Sequence, residues 1–318
     1  MKKGLVCLLV LGLLLPLALS PGVEAKERVV RIGYLPLVMS LPTFVAAEKG
    51  FFAQEGLEVE LVRFQSGTTV VDALVAGRID ANCGSAIVTH WFAEQNVSGR
   101  FKIFLLYGTD SMEDDNTFVV VVKKDSPIKE LKDLKGKKVA HFPGVTNLSL
   151  AKAIIRTQID PEGVIFTEIP PPNLVPALAA GQIDAFFTPE PFGMMAVSKG
   201  VGRYLRKSPL TVLNLEKGIP GGAFSFSAKF LKKNPELAIK VKTAVEKAVD
   251  YMKTHEKEAR GYLAKYTQLP PPVAMGIPFD KWIKIEELNK GAGQGYFDVL
   301  YKEGAYKKRI DTTKLYYE

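Results

Sequence analysis

Ala73-Leu-Val-Ala-Gly-Arg-Ile-Asp-Ala81 and Ala177-Leu-Ala-Ala-Gly-Gln-Ile-Asp-Ala185 agree at seven of nine positions. Each reads as the last turn of a helix, a glycine that lets the chain leave it, and the start of a strand. Glycine just past a helix end adopts the left-handed conformation without a steric cost, which explains Gly77 and Gly181. Such a repeat points to an internal duplication, and the residues before each copy run in parallel.

Upstream of the first copy, Val29 to Tyr34 reads as a strand and Pro42 to Lys49 as a helix ending at Gly50. A second strand, Leu57 to Phe64, leads through Ser66-Gly67-Thr68-Thr69 into a helix with apolar positions 70, 71, 74 and 75, which is helical spacing. Upstream of the second copy, Lys138 to Phe142 is a strand, Pro143-Gly144-Val145-Thr146-Asn147 a turn, and Leu148 to Gln158 a helix with Leu148, Ala151 and Ile155 on one face. Val164 to Ile169 is the next strand. Asn173 is expected to cap a short helix with Pro176 in its first turn, and Ile183 to Phe187 returns to the sheet.

Alternating strands and helices predict an α/β fold of two doubly wound lobes, one per copy, with a hinge and a ligand cleft between them. Thr117 to Lys123 reads as the crossover strand and Ala223 to Ser227 as the return. Asn234-Pro235 opens a long helix with Leu237, Val241, Val245, Ala248 and Met252 on one side. Lobe 1 is therefore expected over residues 26–118 and 224–318, and lobe 2 over 119–223.

Residues 1–25 read as a secretory signal rather than as part of the fold. Lys2 and Lys3 precede an apolar run from Leu5 to Leu15, too short to span a membrane, and Val23-Glu24-Ala25 ends in a small residue. Cleavage after Ala25 leaves about 293 residues, enough for two domains. Cys7 sits too early for a lipid anchor, and Cys83 alone remains, so no intramolecular disulfide forms; Cys83 reads as a small buried hydrophobe. A periplasmic location is expected. Without Lys2, Lys3 and Glu24 the chain keeps 40 Lys+Arg against 33 Asp+Glu, a net +7 from the +8 of the whole. The basic residues are scattered, with no stripe interleaved with aromatics, which speaks against nucleic acid. The modest bias favours anionic solutes.

No constellation for catalysis assembles. His90, His141 and His255 are the only histidines, and there is no His-Glu-x-x-His, Cys pair, Gly-x-Ser-x-Gly or phosphate-cradling glycine loop. No metal or cofactor is expected.

Several stretches in order resemble one family. Arg31-Ile-Gly-Tyr-Leu-Pro, Glu48-Lys-Gly-Phe-Phe-Ala-Gln-Glu-Gly-Leu, Ser66-Gly-Thr, the two Ala-Gly-x-Ile-Asp-Ala stretches and Thr188-Pro-Glu-Pro-Phe are similar to the nitrate/sulfonate/taurine group of ABC-importer binding proteins. The resemblance implies the type II periplasmic-binding-protein fold, closing about a hinge on a small molecule, and an ABC permease and ATPase as partners of a monomer. It says little about the ligand, since the group takes sulfonates, nitrate, bicarbonate, aromatic acids and pyrimidine or flavin precursors. A pyrimidine-precursor synthase of thiamine biosynthesis shares the fold, but its Cys-rich motif is missing here. A sensor that hands its occupied form to a membrane receptor is a further class.

In parallel α/β sheets ligands bind at the carboxyl ends of strands, where helix starts present free N–H groups. That places candidates at Tyr34 and Ser40 after the first strand, at Ser66, Gly67, Thr68 and Thr69, at Ser85 and Ala86 beside Gly84, and at Gly144, Val145, Thr146 and Asn147 in the second lobe. Glu190, between two prolines, can accept a ligand amine or serve only its own helix start. Phe192 is the first choice among aromatics (Trp91, Tyr107, Phe142, Phe187 and Phe224 being the others) to wall the pocket. Asp110 shares the ambiguity of Glu190, His141 reads equally as ligand contact or core, and Asp80 and Asp184 read as structural. The hydroxyl-rich turn and positive charge favour a small organic anion, sulfonates or taurine first.

Overall fold

The computed structural model describes residues 28–109, 118–215, 218–279 and 281–318. The signal expected over residues 1–25 and Asp110 lie outside the described residues.

Two mixed sheets form two lobes. The strands are β1 (Val30–Tyr34), β2 (Val59–Arg63), β3 (Ala81–Ala86), β4 (Phe101–Thr109), β5 (Phe118–Lys123), β6 (Lys138–His141), β7 (Ile165–Glu168), β8 (Ala185–Pro189), β9 (Gly202–Lys207), β10 (Ile219–Ser227) and β11 (Lys281–Lys284). The first sheet has the order β11-β4-β10-β3-β1-β2, the second β7-β6-β8-β5-β9. In each, three parallel strands form the centre of the duplicated unit: β2, β1 and β3 in one, β7, β6 and β8 in the other. An antiparallel strand follows, β10 against β3 and β5 against β8. Each lobe thus takes its antiparallel strand from a chain crossing.

The duplication extends to individual hydrogen bonds. The Asp80 N–H donates to Arg31 O at 2.9 Å, and the Arg31 N–H donates to Asp80 Oδ2 at 3.0 Å. In the second lobe the Asp184 N–H donates to Lys138 O at 2.9 Å and the Lys138 N–H to Asp184 Oδ2 at 2.8 Å. Each repeated Asp therefore ties the entry of the central strand to its neighbour, the structural role expected of both. Gly77 and Gly181 leave their helices with φ of 67° and 70°.

Elsewhere the boundaries shift. β10 pairs with Thr109 from Ile219 onward, so the return to the first sheet begins before Ala223, and residues 219–223 belong to lobe 1. Pro220-Gly221-Gly222 has the composition of a turn but lies within β10, which runs centrally with register breaks against both neighbouring strands. The helix expected to start at Asn173 starts at Pro171, so Asn173 caps nothing and Pro176 lies inside the helix Pro171–Ala179. Pro171 and Pro172 bring their fixed φ to the first turn, where a missing N–H costs nothing. The helix after the second-lobe turn begins at Val145, not Leu148.

The long helix Pro235–Thr254 buries Ala238, Val241, Ala244, Val245, Ala248, Val249 and Met252 against the first sheet and the helix Leu41–Glu48. Leu237 is only half-buried, and the Asn234 side chain makes no cap bond. The second lobe has its own core of Val119, Val121, Ala140, Leu174, Leu178 and Phe186. The lobes touch at Arg156, whose Nε lies 2.8 Å from Glu303 Oε1, and at Met194, which packs against the first-lobe core beside Gly276.

Candidate functional site

Strand polarity directs the carboxyl ends of β1, β2 and β3, and of β6, β7 and β8, to the loops expected to carry ligand. In the first lobe the loop after β1 is held from two sides. Ser40 is fully buried with its Oγ 3.5 Å from Gly84 O, and Trp282 of the edge strand β11 donates its indole N–H to Met39 O at 2.9 Å. Gly84 has φ of 102°, and a Cβ there would lie 2.4 Å from Ser40 Oγ. Only glycine permits that approach. Tyr34 is 8% exposed and packs edge-on against Phe44 at 5.3 Å and Tyr266 at 6.3 Å, so its ring is largely core.

The Ser66 turn is open. Ser66 Oγ accepts the Thr69 N–H at 3.2 Å, and Thr69 Oγ1 donates to Ser66 O at 3.0 Å, which caps the helix Gly67–Val75. Ser66, Thr68 and Thr69 are all exposed. Gly67 faces Thr89 in the first turn of the helix Ile87–Asn96, with 3.0 Å between a notional Cβ and Thr89 Oγ1. Thr89 belongs to this face although nothing in its local sequence marks it. Two helix starts converge here, and their first N–H groups have no intrahelical partner.

Beneath them lies a buried polar network. Ser85 is fully buried and its Oγ accepts from Asn82 Nδ2 at 2.7 Å, while Ala86, half-buried, gives its carbonyl to His90 Nδ1 at 3.2 Å. With Nδ1 protonated, His90 Nε2 accepts from Ser225 Oγ at 2.8 Å and from Asn82 Nδ2 at 3.2 Å. Burial pulls His90 down to about 4, so it stays neutral. Ser85 therefore supports the cleft floor from below. Cys83, buried, has its thiol pushed up to about 12 by burial and is inert.

The second-lobe turn differs. Gly144, exposed, precedes the helix Val145–Arg156, and its N–H donates to Glu168 Oε1 at 3.2 Å. Asn147 folds back to donate to Pro143 O at 3.0 Å. Val145 and Thr146 lie in the first turn of this helix. The strand register pairs His141 with Glu168 in this lobe and Tyr34 with Arg63 in the first. Corresponding positions at the carboxyl ends of β7 and β2 thus carry a carboxylate in one lobe and a guanidinium in the other. The His141 ring is buried, donates from Nδ1 to Phe142 O at 2.6 Å, and is held below its ordinary pKa by burial.

Glu190 is turned inward. Its Oε2 accepts the Met194 N–H at 2.9 Å and its Oε1 accepts the Tyr204 hydroxyl at 2.7 Å. Burial raises its carboxyl above the ordinary value, against the lowering effect of these bonds. This carboxylate serves the start of the helix Phe192–Ser198. Phe192 and Phe142, both half-buried, meet edge-on at 5.6 Å and form an aromatic rim on the second lobe. The other aromatics are core: Trp91 packs on Tyr296 and Phe297, Phe224 on Phe104, Phe187 on Phe118, and Tyr107 on Trp282. Among the described residues no group of three His, Cys, Asp or Glu side chains is arranged to hold a metal ion.

Comparison with known proteins agrees with this geometry. The nitrate import ATP-binding protein NrtC of Synechocystis sp. (strain ATCC 27184 / PCC 6803 / Kazusa) is 28% identical over 251 residues, 73% of this chain and 36% of that protein. The chain spans about a third of the length of the first curated relatives it matches. A Bacillus subtilis (strain 168) protein, provisionally named an aliphatic sulfonates-binding protein, is 26% identical over 98% of this chain and 93% of its own length. The 4-amino-5-hydroxymethyl-2-methylpyrimidine phosphate synthase of Aspergillus parasiticus is 26% identical over 76% of the chain and 70% of that enzyme. Among solved structures, the periplasmic aliphatic sulphonate binding protein SsuA from Escherichia coli superposes with a TM-score of 0.75 at 22% identity, covering 91% of this chain and 92% of that one, which shows the shared periplasmic-binding-protein fold. The sequence model of the NMT1-like family matches residues 24–268, and the chain belongs to that family.

Proposed function

We propose that this protein is the exported solute-binding component of an ABC importer, capturing a small organic oxyanion between its lobes for a membrane permease. Aliphatic sulfonates are the first ligand class. The observation that carries the reading is the asymmetry of the two cleft faces. The first lobe presents two converging helix starts, exposed hydroxyls at Ser66, Thr68 and Thr69, and Arg63 at the strand end. Such a face suits an acid group. The second presents Glu168 at the turn and the Phe142–Phe192 rim. An ammonium can take Glu168, so a zwitterion such as taurine is favoured over nitrate. Glu190 contributes positioning of the helix that carries Met194, not ligand contact.

The test is a thermal-shift screen of protein unfolded and refolded to shed co-purified solute. The panel holds taurine, alkanesulfonates, nitrate, bicarbonate, aromatic carboxylates and pyrimidine precursors. A ligand at about 100 times its Kd adds ~2.7 kcal/mol, a shift of several degrees. Sulfonate hits support the reading, and taurine above ethanesulfonate supports the Glu168 assignment. Hits only on pyrimidines would favour the relationship to the synthase, and silence across the panel would remove the oxyanion class.

A further inference from the structure

The end of lobe 1 opposite the cleft holds an open cavity of about 360 Å³ at the amino ends of the parallel strands. Among the described residues, Arg28, Arg31, Lys229 and Lys233 line it with a single carboxylate, Asp80. That carboxylate is already used: it is 3% exposed, Oδ1 accepts from Arg28 Nη2 at 2.5 Å, and Oδ2 accepts the Arg31 N–H. Among the described residues, the Arg31, Lys229 and Lys233 side chains form no ion pair, so three exposed cations without a counter-charge are left around the cavity. Lys229 is exposed and lies beside Gly77, its Cδ 3.0 Å from where a Cβ on that glycine would stand.

The duplicated lobe supplies a control. Asp184 makes the same bonds to Lys138 as Asp80 makes to Arg31, with no arginine on its carboxylate among the described residues. The fold thus builds its strand clamp without this cluster, and Arg28, Lys229 and Lys233 are additions to lobe 1. Cations gathered round one concavity attract multiply charged oxyanions, with the guanidinium fork matching phosphate oxygens.

We propose that this cavity is a binding site for phosphate groups, separate from the cleft and independent of its ligand. The phosphate can belong to the headgroup of an anionic phospholipid or to a soluble phosphate compound, and the experiment distinguishes the two. The protein, purified after export, is titrated with inorganic pyrophosphate by calorimetry at 0.15 M salt, where surface charge is largely screened. It is also floated with phosphatidylglycerol and with phosphatidylcholine vesicles. Two variants of equal net charge are compared: Lys229→Glu with Lys233→Glu, and Lys257→Glu with Lys308→Glu on exposed surface elsewhere. Unchanged melting temperature and cleft-ligand affinity in both variants show that fold and cleft are intact.

The expected result is saturable pyrophosphate binding weakened at least tenfold in the cavity variant and retained in the surface variant. Loss of phosphatidylglycerol flotation in the cavity variant alone assigns the phosphate to a lipid headgroup. Flotation indifferent to the substitutions, with pyrophosphate binding still lost, assigns it to a soluble ligand. The proposal is overturned if pyrophosphate does not bind, if both variants lose it equally, or if the cavity variant keeps it.

Discussion

Tyr204 donates its hydroxyl to Oε1 of Glu190 at 2.7 Å, on the side opposite the Met194 N–H that reaches Oε2. These bonds account for a buried carboxylate that topology alone would assign to the ligand. Tyr204→Phe leaves one carboxylate oxygen short of a partner, at an expected cost of about 1–3 kcal/mol. Ligand affinity is expected to stay unchanged. The loss depends on pH, because removing the donor raises the folded pKa of Glu190 further above its usual 4.5. A carboxyl raised on folding binds protons more readily in the native state, so stability falls as pH climbs past the unfolded value. The deficit should therefore be larger at pH 7 than at pH 4. Urea denaturation at both values checks this, and equal deficits would contradict the role assigned to the hydroxyl.

His90 gives the opposite profile. It is buried and neutral, with its pKa drawn from 6.5 to about 4 by burial. A base depressed on folding contributes its full stability above pH 6.5 and loses it as pH falls toward 4, because the unfolded chain takes up the proton first. The loss over that window is about 3 kcal/mol. In His90→Gln the carbonyl can accept from Ser225, and this acid limb should flatten. Stability curves at half-unit intervals from pH 4 to 7 test it, and an unchanged slope would remove His90 as its source.

The duplication is legible because the Ala-Gly-x-Ile-Asp-Ala stretch that repeats is contiguous in the chain, with Gly77 and Gly181 needed where a helix ends. The partners of Asp80 and Asp184 are not legible in the same way, since Arg31 and Lys138 lie 49 and 46 residues away. What escaped the sequence is tertiary. Tyr204 reaches Glu190 from the edge strand β9, and Trp282 reaches Met39 from a four-residue strand far along the chain. No periodicity encodes either meeting. Pro220-Gly221-Gly222 carries turn chemistry into a central strand, so the start of β10 was hidden for the reverse reason. The candidate cleft loops follow from strand polarity, whereas Glu168 does not stand out, since an exposed carboxylate at a strand end looks like ordinary surface until its bond to Gly144 is seen.

Ser66 and Thr68 can be separated by stability and affinity. Ser66 Oγ caps Thr69, so Ser66→Ala should cost about 1 kcal/mol. Thr68 is exposed and holds no such cap. Thr68→Ala should leave the melting temperature within about 1 °C, since surface changes of this kind stay within ±0.5 kcal/mol, while weakening sulfonate binding several-fold. Calorimetric titration alongside thermal melts reads both. A Thr68 variant of unaltered affinity would take this turn out of the site.

Gly84→Ala should couple stability to ligand. The added Cβ would lie 2.4 Å from Ser40 Oγ and 3.0 Å from the Ser40 backbone, at a φ of 102°. Backbone strain at such a position costs about 1–3 kcal/mol, and the loop after β1 must also move. Gly136→Ala is the comparison, with φ of 73° and nothing within 4 Å of its Cβ, so it carries strain alone. Both variants should melt lower, Gly84→Ala by more, but only Gly84→Ala should lose affinity for the cleft ligand. That outcome places Ser40 at the ligand through the glycine that seats it. Equal affinity in the two variants would mean that the loop after β1 can shift without the ligand sensing it, and would leave the Ser66 turn to hold the acid group alone.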